Sequence, residues 1–394
     1  MNIVIHSTEP LVFRDGRPFG DSGHVNGGML RWPWPSTVVG MLRTRIGLSR
    51  DPDYFQTGGK GMLDPAKKKA LERISAERVV PLWKKENTKD WEYLFPAPAD
   101  ALVVRASQQD TYAVHSFDFL DPFHDGGVDL PWKNWRIPVA STREKPARDS
   151  PELWNLATYF DWLKNNQLNG EMIYGTDLGR PLPQPEVRMH TAIDPATGTA
   201  KTGQLFSSQG ISLSSVGRNG RCGGQLGIGV ELAGTEDTDD PFGPCHFGGE
   251  RRVAFVEPLQ SAFPACPGWF ENKKYLRFVL ITPGVFGSWA PSWLLPDPDC
   301  QETEWRKVPG TDIDVRLCSS FIPRWQPVSG WDYALRAPKA TRKMVPAGAV
   351  YVVEVKDPAS SQTLAQKIWG RSIDFDLRHL NGCGAVCVGN VMIA

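Results

Sequence analysis

Hydrophobic and polar positions alternate at the start of the chain. Ile3 and Ile5 stand against Asn2 and His6, which predicts a strand over residues 2–13. The period then lengthens. Val38, Val39, Leu42 and Ile46 fall on one helical face, with Met41 at its edge and Gly40 and Thr44 opposite, so a helix is predicted from 36 to about 48. Ser36-Thr37 reads as its cap. Arg43 flanks the apolar arc and Arg45 lands inside it. From 51 to 170 the periodicity is poor, apart from a charged helical piece at 65–78 and a helix at 151–165, where Leu153, Leu156, Phe160 and Leu163 lie close on one face. So much irregular chain reads as insertions on a compact scaffold, or as surface ordered by partners. Residues 186–213 read as a hairpin, with turn chemistry at Asp194-Pro195-Ala196-Thr197-Gly198. Strand patterns follow at 225–232, 246–259, 275–281, 347–356 and 385–393, with a short helix at 363–369. The acidic loop at 235–244 marks a boundary. Strands and helices mix without regular alternation, which places the chain in the α+β class with mainly antiparallel sheets. Thr282-Pro283-Gly284-Val285-Phe286 after one strand echoes Thr8-Glu9-Pro10-Leu11-Val12-Phe13 after the first, a hint of two similar units.

Composition adjusts this picture. A length of 394 residues suits two domains, or one with large insertions. Lys+Arg and Asp+Glu both number 44, which argues against a generally basic coat and confines any nucleic-acid contact to local clusters. The 33 prolines and 38 glycines call for long loops. The seven cysteines form no Cys-x-x-Cys pair and no even disulfide framework, and the start lacks a basic region followed by an apolar core. No apolar run reaches membrane-spanning length. The expectation is a soluble, cytoplasmic protein of a reducing compartment.

The stretch 9–46 holds the densest chemistry. Arg14-Asp15-Gly16-Arg17 is a tight basic turn. Glycines at 20, 23, 27 and 28 follow, then Trp32-Pro33-Trp34-Pro35 and the helix start. Backbone amides and arginines at a helix start suit anion binding. Cys245-His246 is the only adjacent Cys/His pair, and no spacing matches a zinc site. Asp239-Asp240 lies in the acidic loop without a polymerase signature, so neither a metal centre nor paired-carboxylate catalysis is expected. Gly382, Gly384 and Gly389 do not make a dinucleotide fingerprint, because Cys387 stands where its last glycine belongs.

Several segments, in this order, resemble one family. They are EPLVFRDGRPF, WPWPSTVVGMLRT, LFPAPADAL, FGGERRVA, ATRKMVPAGAVYVVEV and GCGAVCVGN. Together they resemble the third-subunit family of the Cmr complex, the type III-B CRISPR effector, within the RAMP superfamily. Each piece alone is weak; the ordered set is specific and spans nearly the whole chain. The sequence departs from the family pattern at Cys383, where a bulky apolar residue is usual. The resemblance implies two ferredoxin-like (RRM-like) domains, at 1–240 with an insertion at about 51–170, and at 241–394. It also implies binding of the 5′ handle of the guide crRNA, with the large polymerase-like subunit and backbone RAMP subunits as partners. No catalytic residue, metal or cofactor is implied, and no membrane.

Read with that resemblance, RNA-binding candidates are Arg14, Gly16, Arg17, Ser36, Thr37, Arg43, Gly248, Gly249, Arg251, Arg252, Lys339, Arg342, Lys343, Gly382 and Gly384. Arg188 and His190 join them, because residues 186–206 would supply the thumb-like hairpin that wedges between guide nucleotides in this family. Each has a plainer reading. Arg14 and Arg17 could pair with Asp15 or Asp21. Ser36, Thr37 and Arg43 could be an ordinary cap and a surface charge. The remaining cations could be solvated runs. A competing function is a metal-independent endoribonuclease that processes repeat RNA, with His24 in the glycine-rich loop as first candidate general base.

Overall fold

The computed structural model describes residues 1–17, 28–56, 63–121, 129–165, 168–216, 222–332, 337–374 and 383–393. Two antiparallel sheets dominate, and few helices accompany them.

The first sheet is built around β1 (Asn2–His6). The chain continues through α1 (Pro35–Arg50) and the short α2 (Pro65–Glu72) to β2 (Ser75–Lys85), then to β3 (Cys222–Ala233) and β4 (Val253–Pro258). The spatial order is β2-β3-β1-β4, every neighbour antiparallel. Strands Glu92–Pro96, Leu153–Asn155 and Gly179–Arg180 extend it beyond β2, and Gly243–His246 extends it beyond β4. Side chains of a strand alternate between faces. Ile3 and Ile5 therefore pack with Val38, Val39, Leu42 and Ile46 of α1, while Val4 turns to the opposite core.

The second sheet repeats the plan. Strands β5 (Tyr275–Leu280), β6 (Asp314–Phe321), β7 (Val350–Val355) and β8 (Ala385–Asn390) stand in the order β6-β7-β5-β8, again antiparallel throughout. α3 (Leu156–Asn165) and α4 (Ser361–Ile368) lie against β8. The outer face of the first sheet (Val4, Val80, Leu82) shares one core with Phe278, Tyr351 and Val388 of the second.

Arg277 on β5 is fully buried in that shared core. Its guanidinium forms an ion pair with Asp100. Its Nε donates to the Asn390 carbonyl at 2.9 Å, a second nitrogen donates to the Trp162 carbonyl at 3.3 Å, and the group lies 5.3 Å from the Trp162 ring centre. The Trp162 indole donates to the other Asp100 oxygen at 3.2 Å. A buried charge persists only when it is paired and hydrogen-bonded, so this network welds residues 100, 162, 277 and 390 together.

Two expectations are corrected here. The described residues of 51–170 are not all irregular: they supply β2 and two further strands of the first sheet. The run at 79–83 hid this, because Val79 and Trp83 face the α1 core while Val80 and Leu82 face the shared core, leaving no polar face to alternate against. A boundary near 240 also falls too early. Gly243–His246 and Val253–Pro258 pair within the first sheet, so the change of sheet comes after Pro258.

Candidate nucleic-acid interface

The segment that leaves β1 gathers four remote stretches of chain. Leu11 exchanges backbone hydrogen bonds of 2.9 and 2.8 Å with Ile211, at the base of the hairpin formed by Pro185–Ile193 and Ala200–Ile211. The Val12 carbonyl accepts from the Gly249 amide at 2.8 Å. The Phe13 carbonyl accepts from Leu30 at 2.9 Å, and its ring meets Phe247 edge-on with centres 4.9 Å apart. The Gly16 amide donates to the Pro327 carbonyl at 3.0 Å, and the Thr341 hydroxyl donates to the Gly16 carbonyl at 2.9 Å. Below this seam, Phe13, Leu30, Trp34, Phe247, Val285, Val328, Met344 and Cys383 belong to one core cluster.

Two glycines are required by these crossings. A Cβ on Gly16 would fall 2.8 Å from the Thr341 methyl and 2.9 Å from the Val328 carbonyl carbon. Gly248 has φ +78°, and its Cβ would stand 2.5 Å from the Val12 carbonyl oxygen. Only glycine meets both demands without strain. Gly384, at φ +69°, donates its amide to the Pro283 carbonyl at 2.9 Å. Gly284 in turn exchanges hydrogen bonds of 3.0 and 2.8 Å with Val345. The C-terminal glycine loop thus reaches the seam through residues 283–285, and Cys383 fills a buried core position, its thiol pushed well up by burial and by Asp374.

Cations crown the seam. Arg14 and Arg17 are exposed on the turn, with Arg17 Nε 3.3 Å from Asp15. Glu250 and Arg251 both adopt left-handed φ, 57° and 52°, a costly backbone for residues with side chains. This lifts Arg251 into solvent, where its side chain makes no hydrogen bond or ion pair among the described residues. Arg252 instead holds the loop down, 3.0 Å from Glu250 and 3.6 Å from Glu9. Lys339, Arg342 and Lys343 are exposed on the return strand of a ribbon in which Gln326–Val328 pairs with Arg342–Met344.

Other expected site residues stand differently. Ser36 and Thr37 do not cap α1: Trp34 is the cap residue, without a side-chain cap bond, and Pro35 opens the helix. Proline suits that place because its fixed φ is already helical and its missing N–H was unpaired anyway. Ser36 and Thr37 occupy the first turn, next to the seam through Trp34. Arg43 stands apart from the seam contacts. It lies in the middle of α1 and donates to the Ile74 carbonyl at 2.9 and 2.7 Å, with Glu72 O at 3.4 Å. Burial lowers its pKa, partly offset by Glu72. Its charge closes the chain end beyond α2 and is committed there. Arg45 likewise donates to the Phe242 carbonyl at 3.2 Å. Arg188 and His190 sit along the hairpin, Arg188 beside Glu186 at 3.4 Å and His190 Nε2 2.7 Å from the Ser208 hydroxyl. Gly382 and His24 lie outside the described residues.

Two groups went unread in the sequence. Glu9 positions Arg252 and accepts from the Val253 amide; nothing local to residue 9 announces it. Trp325 and Trp331 are exposed beside the ribbon's cations, with Lys343 Nζ 5.0 Å from the Trp325 ring centre. The signal available was the interleaving of aromatic and basic residues over 324–343. Among the described residues no group of three or more His, Cys, Asp or Glu is placed to hold a metal ion, and no helix is long and apolar enough to cross a membrane.

A family model described as CRISPR-associated protein (Cas_Cmr3) matches residues 3–391. Similar solved structures include a chain of the type III-B Cmr-beta complex bound to cognate target RNA and AMPPnP. It has 15% identity and a TM-score of 0.47, covering 93% of this chain and 88% of that one. A second Cmr-beta structure, bound to cognate target RNA, gives 15% identity and a TM-score of 0.44 over 89% of this chain and 86% of that one. A chain of the Csm3–Csm4 subcomplex of the type III-A interference complex gives 10% identity and a TM-score of 0.30, covering 91% and 94%. No curated protein matches.

Proposed function

We propose a function from one premise: this chain belongs to the Cas_Cmr3 family of CRISPR-associated proteins. It acts as a non-catalytic RNA-binding subunit of a type III-B ribonucleoprotein in antiviral defence. It holds the 5′ handle of the guide crRNA and joins the large polymerase-like subunit to the backbone RAMP subunits in the cytoplasm. The observation that carries this reading is the convergence at the seam. Arg14–Arg17, Gly248–Arg251 and Lys339–Lys343 are far apart in the chain, and the 10–17 segment bonds to both of the other stretches. A cluster of exposed cations around close glycine crossings suits phosphate oxygens. The net charge of zero fits a protein whose remaining surface meets other subunits.

The strand orders support two ferredoxin-like domains. Each sheet runs second-third-first-fourth in chain order, the order of that fold, and each retains one helical crossover, α1 in the first and α4 in the second.

The test is nuclease protection of the handle in the assembled complex, comparing wild type with Arg17→Gln/Arg251→Gln/Lys339→Gln. Wild type should shield the handle and the triple variant should expose it while still assembling. The isolated chain should bind handle RNA only weakly. A wild-type complex that leaves the handle open to nuclease, or a triple variant that protects it fully, would refute the assignment.

A further inference from the structure

The ribbon at 323–344 carries more than charge. Trp325 is 48% exposed and Trp331 54% exposed, although tryptophan is normally well covered. Both stand on the outgoing strand, opposite a return strand bearing Lys339, Arg342 and Lys343. Arg324 adds a fourth exposed cation, and Asp332 is the single acid among the described residues of 323–344. The ribbon is a local concentration of positive charge on a chain whose net charge is zero. It is also fixed in place: Pro327 and Thr341 bond to Gly16, Lys339 N bonds to the Gly330 carbonyl at 2.8 Å, and Val328 and Met344 are anchored in the core beneath. Lys343 covers one side of Trp325 at cation–π distance and leaves about half of the residue open.

We propose that Trp325 and Trp331 are base-stacking residues for a single-stranded RNA segment, whose phosphates are taken by the cations of the return strand. The inference rests on the RNA-binding reading and names two groups within it. Aromatic rings interleaved with cations on an exposed ribbon match single-stranded nucleic acid, which offers π-faces and phosphates together. Charge complementarity favours that ligand over a protein surface. The two rings are six residues apart, about 20 Å along an extended ribbon. Bases stacked directly on each other are about 3.4 Å apart, so each ring serves a separate base. Stacking of this kind tolerates any base, so the ribbon grips without reading sequence.

The experiment measures fluorescence anisotropy of the full chain at low ionic strength. Its probes are a labelled 12-nucleotide oligouridylate and an abasic ribose-phosphate strand of equal length. Trp325→Ala and Trp331→Ala should each weaken oligouridylate binding roughly tenfold. They should leave the abasic strand and the salt slope unaltered, because no phosphate contact is lost. Trp→Phe at either position should restore most of the affinity. Thermal melts of the same variants report folding. If wild type binds and both alanine variants bind oligouridylate equally well, the stacking assignment is wrong while the RNA-binding reading stands. The same holds if the variants keep full RNA affinity but fail to join the other subunits, which marks the ribbon as a protein interface. If wild type shows no affinity for either strand and no handle protection in the complex, both readings fall.

Discussion

The two halves of the molecule share a strand order, and each grows a two-stranded hairpin between its second and third strands. Pro185–Ile193 with Ala200–Ile211 lies between β2 and β3, and the 326–344 ribbon lies between β6 and β7. Both are docked on the segment leaving β1, one at Leu11 and the other at Gly16. Their surfaces differ. The first hairpin exposes Val187, Met189 and Leu205 by 57, 62 and 61%, and its pairing sets all three on one face. On the opposite face Arg188 is matched by Glu186. Among its described residues the second, taken over 323–344, exposes four cations and two tryptophans against one acid. One offers apolar contact with balanced charge, the other a field. The same topological outgrowth thus serves two kinds of recognition, and salt should tell them apart.

The two halves share one core, and the largest expected effect comes from breaking it. Arg277→Met leaves Asp100 buried and unpaired, which should cost about 3–5 kcal/mol in urea denaturation. Arg277→Met/Asp100→Leu should recover much of it. A native protein already unfolding in two separate transitions would show the halves to be independent. Next, Gly16→Ala forces a methyl group against Thr341 and Val328. It should cost about 1–3 kcal/mol and loosen the ribbon, seen as faster amide exchange at 326–344 with the 185–211 hairpin unaffected. Third, Lys339→Gln/Arg342→Gln/Lys343→Gln should flatten the log K against log salt slope by up to about 2, near 0.7 per lost phosphate contact. Arg188→Gln should move it by less than about 0.7. Equal changes would erase the distinction between the hairpins. The smallest effect belongs to Thr341→Val, which removes one hydrogen bond to Gly16 and should lower stability by about 1 kcal/mol.

Where an element has one covered face, the sequence displays it: the α1 stripe from Val38 to Ile46 is buried as its spacing predicts. Where both faces are covered, as at 79–83 in β2, the alternation vanishes. In β6, Val315 and Leu317 begin an alternation that a register shift between 317 and 319 then breaks. The candidate site divides along similar lines. Glycines and arginines at 14–17, 248–252 and 339–343 announce themselves because their local chemistry is unusual. The bond of Arg43 was not legible, because its partner, the Ile74 carbonyl, lies 31 residues away and carries no side-chain signature. Trp325 and Trp331 gain meaning only once Gly16 brings the ribbon beside the basic turn.

The Arg277 network also orders events during synthesis. Arg277 joins residues separated from it by 177, 115 and 113 positions, namely Asp100, Trp162 and Asn390. Asp100 and Trp162 leave the ribosome before it, but Asn390 emerges long after. Until then β5 also lacks β8, one of its two neighbours. The nascent chain must therefore keep a charged strand at the centre of its second sheet wet, or shielded by a chaperone, through more than a hundred further rounds of elongation. Strand β8 acts as the latch that closes the interior to water.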